Sequence, residues 1–228
     1  TFQQKYNFSG IFSDVDINFK SDAVQSVTSL ELDNEKNSKR SNNDLPRLIK
    51  QLIIDIQALD DSDLSFEYRK SKKEGLNTNN INIEERMTRF TSAFNQMFDN
   101  LEYSRVENVM QHKEIIFTKN GIDIPIDSLS SGEKQIVYRG CFLLKDKNAL
   151  NGAFVFIDEP EISLHPLWHQ KIMNYYKNIF TDSSGKQTSQ IFVVTHSPFI
   201  IHNKERKNDK VIVMQRNGND ILIADTPE

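Results

Sequence analysis

Two short apolar runs, each cut off by polar residues, constrain this chain more than any other feature. Ala153 to Ile157 leads straight into Asp158-Glu159, and Ile191 to Thr195 leads into His196. Between them, Pro166 to Phe180 reads as a helix. Apolar strands of four or five residues joined through a helix form a parallel sheet whose faces are covered by helices. The predicted fold is therefore α/β, and the polar residues fall at the carboxyl edge of the strands, where open α/β sheets place their ligands.

The rest of the chain supplies other elements. Tyr6 to Phe12 and Val15 to Phe19 alternate around Ser13-Asp14 and read as a β-hairpin. Asp33 to Asp44 consists only of Asn, Ser, Lys, Arg, Asp and Glu, a composition that cannot bury enough surface to order itself. Leu48, Leu52, Ile56 and Leu59 lie at helical spacing, predicting a helix over Leu45–Leu59, and Lys70 to Asn82 turns polar again. Met87, Phe90, Phe94, Met97 and Phe98 predict a second helix, and the two together resemble a short helical arm. Glu114 to Thr118 reads as a strand turning at Asn120-Gly121, with Ile122, Ile124 and Ile126 on the return. A helix running to about Leu144 and a last hairpin around Asn217-Gly218 complete the chain. Three regions follow: 1–32, the opening hairpin; 33–113, polar linker plus arm; and 114–228, the lobe that carries the motifs.

Three groups carry candidate chemistry. Asp158 suits Mg²⁺, a hard cation that takes carboxylate and water ligands. Glu159, one step further out, can accept a proton from a water attacking a terminal phosphate. His196, at the end of the second apolar strand, can stand beside Glu159 and orient that water or hydrogen-bond the phosphate. Leu129-Ser130-Ser131-Gly132-Glu133 sits where a loop enters a helix, so its backbone N–H groups and positive dipole end form an anion site. The same residues also satisfy a capping box, Ser130 at the N-cap and Glu133 in the first turn, with no ligand at all.

Taken together, the three motifs resemble those of the ABC-type ATPases, specifically the soluble RecF-like, OLD-like and chromosome-maintenance branch. Leu129 to Glu133 is similar to the family's signature motif, with Ser131 in place of the usual first glycine and Glu133 in place of glutamine. Asp158-Glu159 resembles Walker B and His196 the switch histidine, while Glu161, Ser163, Leu164, His165 and Pro166 match the Glu-x-Ser-Leu-His-Pro segment at the D-loop position. The resemblance implies an ATPase head with a mostly parallel central sheet flanked by helices, an antiparallel β portion and a short helical arm. It further implies ATP and Mg²⁺ as cofactors and a head-to-head homodimer that sandwiches ATP. In such a dimer Ser130, Ser131, Gly132 and Glu133 contact nucleotide held by the partner, with Ser163, Leu164 and His165 as the D-loop.

One part of the family pattern is missing. No G-x-x-x-x-G-K-[ST] phosphate loop occurs, and Ser184-Gly185-Lys186-Gln187-Thr188 is a decoy, because no glycine stands five residues before Gly185 and Gln187 replaces the needed Ser or Thr. The expectation is that the loop belongs to a segment of the natural protein outside this sequence. Gln3, Gln4 and Gln51 are too poorly placed for any of them to be chosen as the glutamine loop.

Composition bounds the partners. A net charge of -4 with 26% charged residues excludes a chain that binds nucleic acid by bulk charge, so DNA or RNA contact must come from local clusters such as Arg69 to Lys73 or Lys204 to Lys207. The single Cys141 precludes an internal disulfide and reads as a core residue. No apolar stretch approaches the roughly 20 residues of a membrane span, which points to a cytoplasmic protein without membrane contact. The branch implies genome defence or DNA repair, similar to the ATPase subunits of two-part antiphage systems of the Septu type, with a separate effector such as a nuclease. The rival reading is a nucleotide-controlled scaffold that holds or inhibits an effector and scarcely hydrolyses ATP; a transporter ATPase fits the His165-Pro166 segment less well.

Overall fold

The computed structural model describes residues 10–13, 45–78, 81, 86–110, 112–144, 152–182, 184–201, 209–218 and 220–224. Strand β1 (Gly10–Ser13), strand β5 (Phe154–Asp158) and strand β6 (Gln190–Val194) form a parallel sheet in the order β1-β5-β6. Of the opening hairpin, only β1 lies within the described residues, and it pairs with β5 in parallel. Helix α4 (Pro166–Ile179) makes the crossover from β5 to β6, as the apolar runs predict.

Alternation along β5 and β6 decides the two faces. Val155 and Ile157 point into the core with Ile136 and Val137 of helix α3 (Ser131–Leu143) and Ile172, Tyr175 and Tyr176 of α4. Phe156 and Phe192 lie on the opposite face, stacked with centroids 5.0 Å apart, and both are exposed, as is Val194. Among the described residues the helices thus pack on one face of this sheet rather than both.

A second, antiparallel sheet joins β2 (Leu101–Val109), β3 (His112–Lys119) and β4 (Ile122–Pro125) in that order. Asn120 and Gly121 turn β3 into β4 with φ of 52° and 77°, the left-handed pair that this dipeptide favours in tight hairpins. Strand β2 is not legible in the pattern, because a register shift between Tyr103 and Arg105 breaks its alternation. A final hairpin pairs β7 (Val213–Asn217) with β8 (Asp220–Ala224), where Asn217-Gly218 predicts a turn.

Helix α1 (Leu45–Lys73) is much longer than Leu45–Leu59. Gln51 and Gln57 donate to Asp55 and Asp61 one turn on, at 2.9 and 2.8 Å, and Lys70, Lys72 and Lys73 meet the negative end of the helix dipole. The helix stops at Gly75, whose φ of 69° lets the Leu76 N–H return to the Ser71 carbonyl at 2.9 Å. Helix α2 (Arg86–Met97) falls where its stripe predicts. Phe94 contacts Phe117 of β3, and Phe98 meets Trp168 of α4 edge-on, with centroids 5.4 and 5.0 Å apart. Part of the arm therefore belongs to the body of the fold: Ile49, Leu52, Ile53, Ile56, Phe90 and Phe94 share the core cluster of Val155 and Ile172, while the polar stretch Asp33 to Asp44 lies outside the described residues. Cys141, in the last turn of α3, is buried in that core as expected, and burial pushes its thiol well above its ordinary pKa.

Candidate functional site

The register between β5 and β6 builds the site. Asp158 pairs with Val194, so both strands end level, and the Glu159 N–H extends the ladder to the Val194 carbonyl at 2.9 Å. Glu159 then adopts φ of 43°, a left-handed conformation that a residue with a side chain holds only where its surroundings impose it. From there its carboxylate meets the His196 ring, Oε1 to Nε2 at 3.2 Å. The Glu159 side chain is 17% exposed and that of His196 91%, so the pair has one partly sheltered and one open member. Burial, then the adjacent Glu161 carboxylate, push the Glu159 pKa above its ordinary value, against the pull of His196. A carboxylate raised in this way moves toward the range of a useful general base.

Asp158 and Glu159 are held from behind by α3. The Arg139 guanidinium, 1% exposed, donates Nη1–H to the carbonyls of Asp158 and Glu159, each at 3.2 Å. With the Gln135 amide oxygen turned inward, it also accepts from Arg139 Nε at 3.1 Å and Nη2 at 3.0 Å. The Asp158 carboxylate has no hydrogen bond or ion pair among the described residues, which leaves it open to a ligand. No cluster of three or more His, Cys, Asp or Glu gathers to hold a metal among the described residues. Asp158 can therefore offer Mg²⁺ one carboxylate, with water and phosphate as the remaining ligands, a donor set that this cation accepts.

The loop into α3 is built as a capping box. The Ser130 hydroxyl accepts from the Glu133 N–H at 3.4 Å, and the Glu133 carboxylate accepts from the Ser130 N–H at 2.8 Å. Lys119 of β3 pairs with the same carboxylate at 2.8 Å. Burial opposes its charge, but Lys119 and Ser130 prevail and hold Glu133 below the ordinary carboxylate range. Buried and committed within its own chain, Glu133 does not face outward as the resemblance implies; Ser130 and Ser131 do, being exposed. Lys50 of α1 pairs with Asp127 at 2.7 Å, and Lys134 donates to the Asp127 carbonyl at 2.7 Å, bracing the turn that leads into the loop.

Gly132 abuts the segment after β5. A Cβ there would lie 2.8 Å from the Ser163 carbonyl oxygen and 3.0 Å from Trp168, so only glycine permits this approach. Ser163 has φ of 64°, and His165 caps α4, accepting from the Leu167 N–H at 3.3 Å. The structure thus brings Gly132 beside Ser163, Leu164 and Trp168, and separately brings Glu159 to His196. The decoy at Ser184-Gly185-Lys186 wraps around the Asp182 carboxylate, which takes the Ser184 and Lys186 N–H groups at 2.9 and 3.0 Å. These amides are spent inside the loop. Arg139 escaped the sequence reading, although a charge between Tyr138 and Gly140 on an apolar helix was the signal for it.

The chain belongs to the AAA ATPase domain family, whose model matches residues 1–201. The retron Vc95 probable ATPase of Vibrio cholerae serotype O1 biovar El Tor is 33% identical over 110 residues, covering 44% of this chain and 20% of that protein. The retron Ec83 probable ATPase of Escherichia coli is 32% identical over 130 residues, covering 53% of this chain and 21% of that protein. The chain thus spans about a fifth of the length of the curated relatives that it matches. Solved structures of chromosome-maintenance ATPases also align. One, from work on the ATP-driven dimerisation and DNA-stimulated activation of SMC ATPases, is 16% identical, covers 61% of this chain and 81% of that one, and has a TM-score of 0.44. Another is the Smc head domain with an extended coiled coil, bound to the C-terminal domain of ScpA derived from Pyrococcus furiosus. It is 18% identical, covers 80% of this chain and 52% of that one, and has a TM-score of 0.41. No helix among the described residues is long and apolar enough to cross a membrane.

Proposed function

We propose that this chain is part of an ATP-hydrolysing head that dimerises on ATP and controls a nucleic-acid-directed process. The observation that carries the reading is the Glu159–His196 pair at 3.2 Å, set at the carboxyl edge of two parallel strands beside the open Asp158 carboxylate. Bound ATP with Mg²⁺ supplies the phosphoanhydride that is cleaved. Asp158 offers the metal a carboxylate; Glu159, its affinity for a proton raised by partial burial and Glu161, takes the proton from the attacking water; and His196 fixes the orientation of the Glu159 carboxylate. Exposed Ser130 and Ser131, with the N–H groups opening α3, face the nucleotide of a second copy, while Gly132 and Glu133 shape that loop and Ser163 to His165 back it.

The likeness to retron probable ATPases supports a place in bacterial antiphage defence with a separate effector, such as a nuclease, in the cytoplasm. Arg69 to Lys73, at the outer end of α1, is a candidate surface for DNA or RNA. The test is Glu159→Gln in the full-length protein. Turnover is expected to be lost while ATP binding persists and the ATP-bound dimer accumulates on size exclusion with light scattering. Wild-type protein that binds ATP and dimerises yet shows no turnover with nucleic acid or effector present would leave the scaffold reading standing instead.

A further inference from the structure

We propose that Glu161 and His169 are positioning residues that clamp the Thr195–Ser197 segment, so that the placement of His196 against Glu159 depends on the loop between β5 and α4; this inference rests on the function proposed above. The geometry is specific. Oε1 of Glu161 accepts the Thr195 hydroxyl, the His196 N–H at 3.0 Å and the Ser197 N–H at 2.9 Å. One carboxylate oxygen thus gathers three consecutive residues of the segment that presents the His196 ring. The Ser197 N–H also reaches the Thr195 hydroxyl oxygen at 2.9 Å, closing the turn on itself. Oε2 of Glu161 is buried and without a hydrogen-bond partner among the described residues. A carboxylate that satisfies one oxygen three times over and leaves the other unmet is placed for that loop, not for its own solvation.

His169 holds the same segment from α4. Its Nδ1 lies 2.9 Å from Ser197 Oγ and its Nε2 3.2 Å from the Leu164 carbonyl oxygen. A carbonyl only accepts, so Nε2 carries the proton in this bond; in the neutral ring Nδ1 then accepts from the Ser197 hydroxyl. The imidazole therefore bridges the segment that ends in His165 to the one that begins at Thr195. Glu161 spans the same two segments from the other end. Ser197 is buried at the junction, while the His196 ring remains almost fully exposed. The ring has no packing of its own to fix it, so its position is inherited from the backbone that Glu161 and His169 hold. A shift of Ser163 and Leu164, which lie against Gly132, would pass through these two side chains to the Glu159–His196 pair.

Hydrogen–deuterium exchange with residue-resolved fragmentation, run beside steady-state kinetics on the full-length protein, tests this. Glu161→Ala is expected to raise exchange at the His196 and Ser197 amides about tenfold or more, since each loses a charge-assisted hydrogen bond, with β5 amides unchanged. The kcat should fall about 10- to 100-fold with KM for ATP within about twofold, the effect of misplaced reacting groups and not of lost nucleotide affinity. His169→Leu should act in the same direction, and His169→Gln, which keeps a donor for the Leu164 carbonyl, should restore most of the rate. Unchanged exchange at His196 and Ser197 in both Glu161→Ala and His169→Leu overturns the clamp. Raised exchange with an unchanged kcat overturns the link to His196. Should Glu161→Ala not fold, the His169→Leu and His169→Gln pair decides alone. Wild-type protein without turnover would count against the proposed function, and the exchange arm would still decide whether the clamp exists.

Discussion

Replacing Arg139 with Met probes how the strand end that carries Asp158 and Glu159 is supported. Methionine keeps much of the aliphatic stem and removes the guanidinium, which is 1% exposed and makes bonds of 3.0 to 3.2 Å to Gln135, Asp158 and Glu159. Three acceptors then lose a donor, the Gln135 amide buried and the two carbonyls on half-buried residues, at about 1–3 kcal/mol each, and the two carbonyl bonds are long enough to place them at the low end. Releasing a buried cation from its desolvation cost offsets part of that loss. The net expectation is a destabilisation of about 3 kcal/mol, which for a chain of this size lowers Tm by about 6–12 °C. Thermal unfolding followed by circular dichroism measures the shift, and hydrogen exchange at the Asp158, Glu159 and Glu161 amides should show the strand end loosened ahead of the core. Arg139→Lys should recover less than half, because an ammonium cannot fork between the two carbonyls and Gln135. A Tm for Arg139→Met within about 1 °C of wild type, well under the shift from even 1 kcal/mol, would refute the support role.

Gly140→Ala should destabilise by about 2–4 kcal/mol although helix propensity alone favours Ala, because its Cβ would meet the Tyr175 hydroxyl at 1.8 Å and break its bond to the Ile136 carbonyl. Adding Tyr175→Phe should relieve part of that cost, and a coupling under about 0.5 kcal/mol in the double-mutant cycle by urea denaturation would count against the clash. Glu133→Gln, which keeps an acceptor for the Ser130 N–H but loses the charge facing Lys119 and the α3 N-terminus, should cost about 1 kcal/mol at neutral pH. Folding holds Glu133 below its ordinary pKa, so its stabilisation is present above that value and is lost as the pH falls through the lower folded one; denaturation at about pH 3 and pH 7 should show the gap between variant and wild type closing on acidification. Gly132→Ala should drive the α3 entry off Ser163 and Trp168, and sedimentation is expected to show a weaker ATP-dependent dimer with nucleotide binding intact.

Local patterns made much of this architecture legible. The apolar runs before Asp158 and His196 marked β5 and β6, the Met and Phe stripe marked α2, and Asn120-Gly121 marked its hairpin, because each depends on neighbours in sequence. The Ser130–Glu133 box was legible for the same reason: a helix cap closes within one turn. By itself, then, the sequence determined which segments become strands and helices and which polar residues stand at their ends. Tertiary structure alone decided that β2 pairs across a bulge, that Glu133 pairs with Lys119, and that Arg139, Glu161 and His169 support the Glu159–His196 pair. Each of these contacts joins residues far apart in the chain, where no periodicity records the partner, and burial then makes the pairing obligatory because an unmatched polar group in the core costs more than the bond returns.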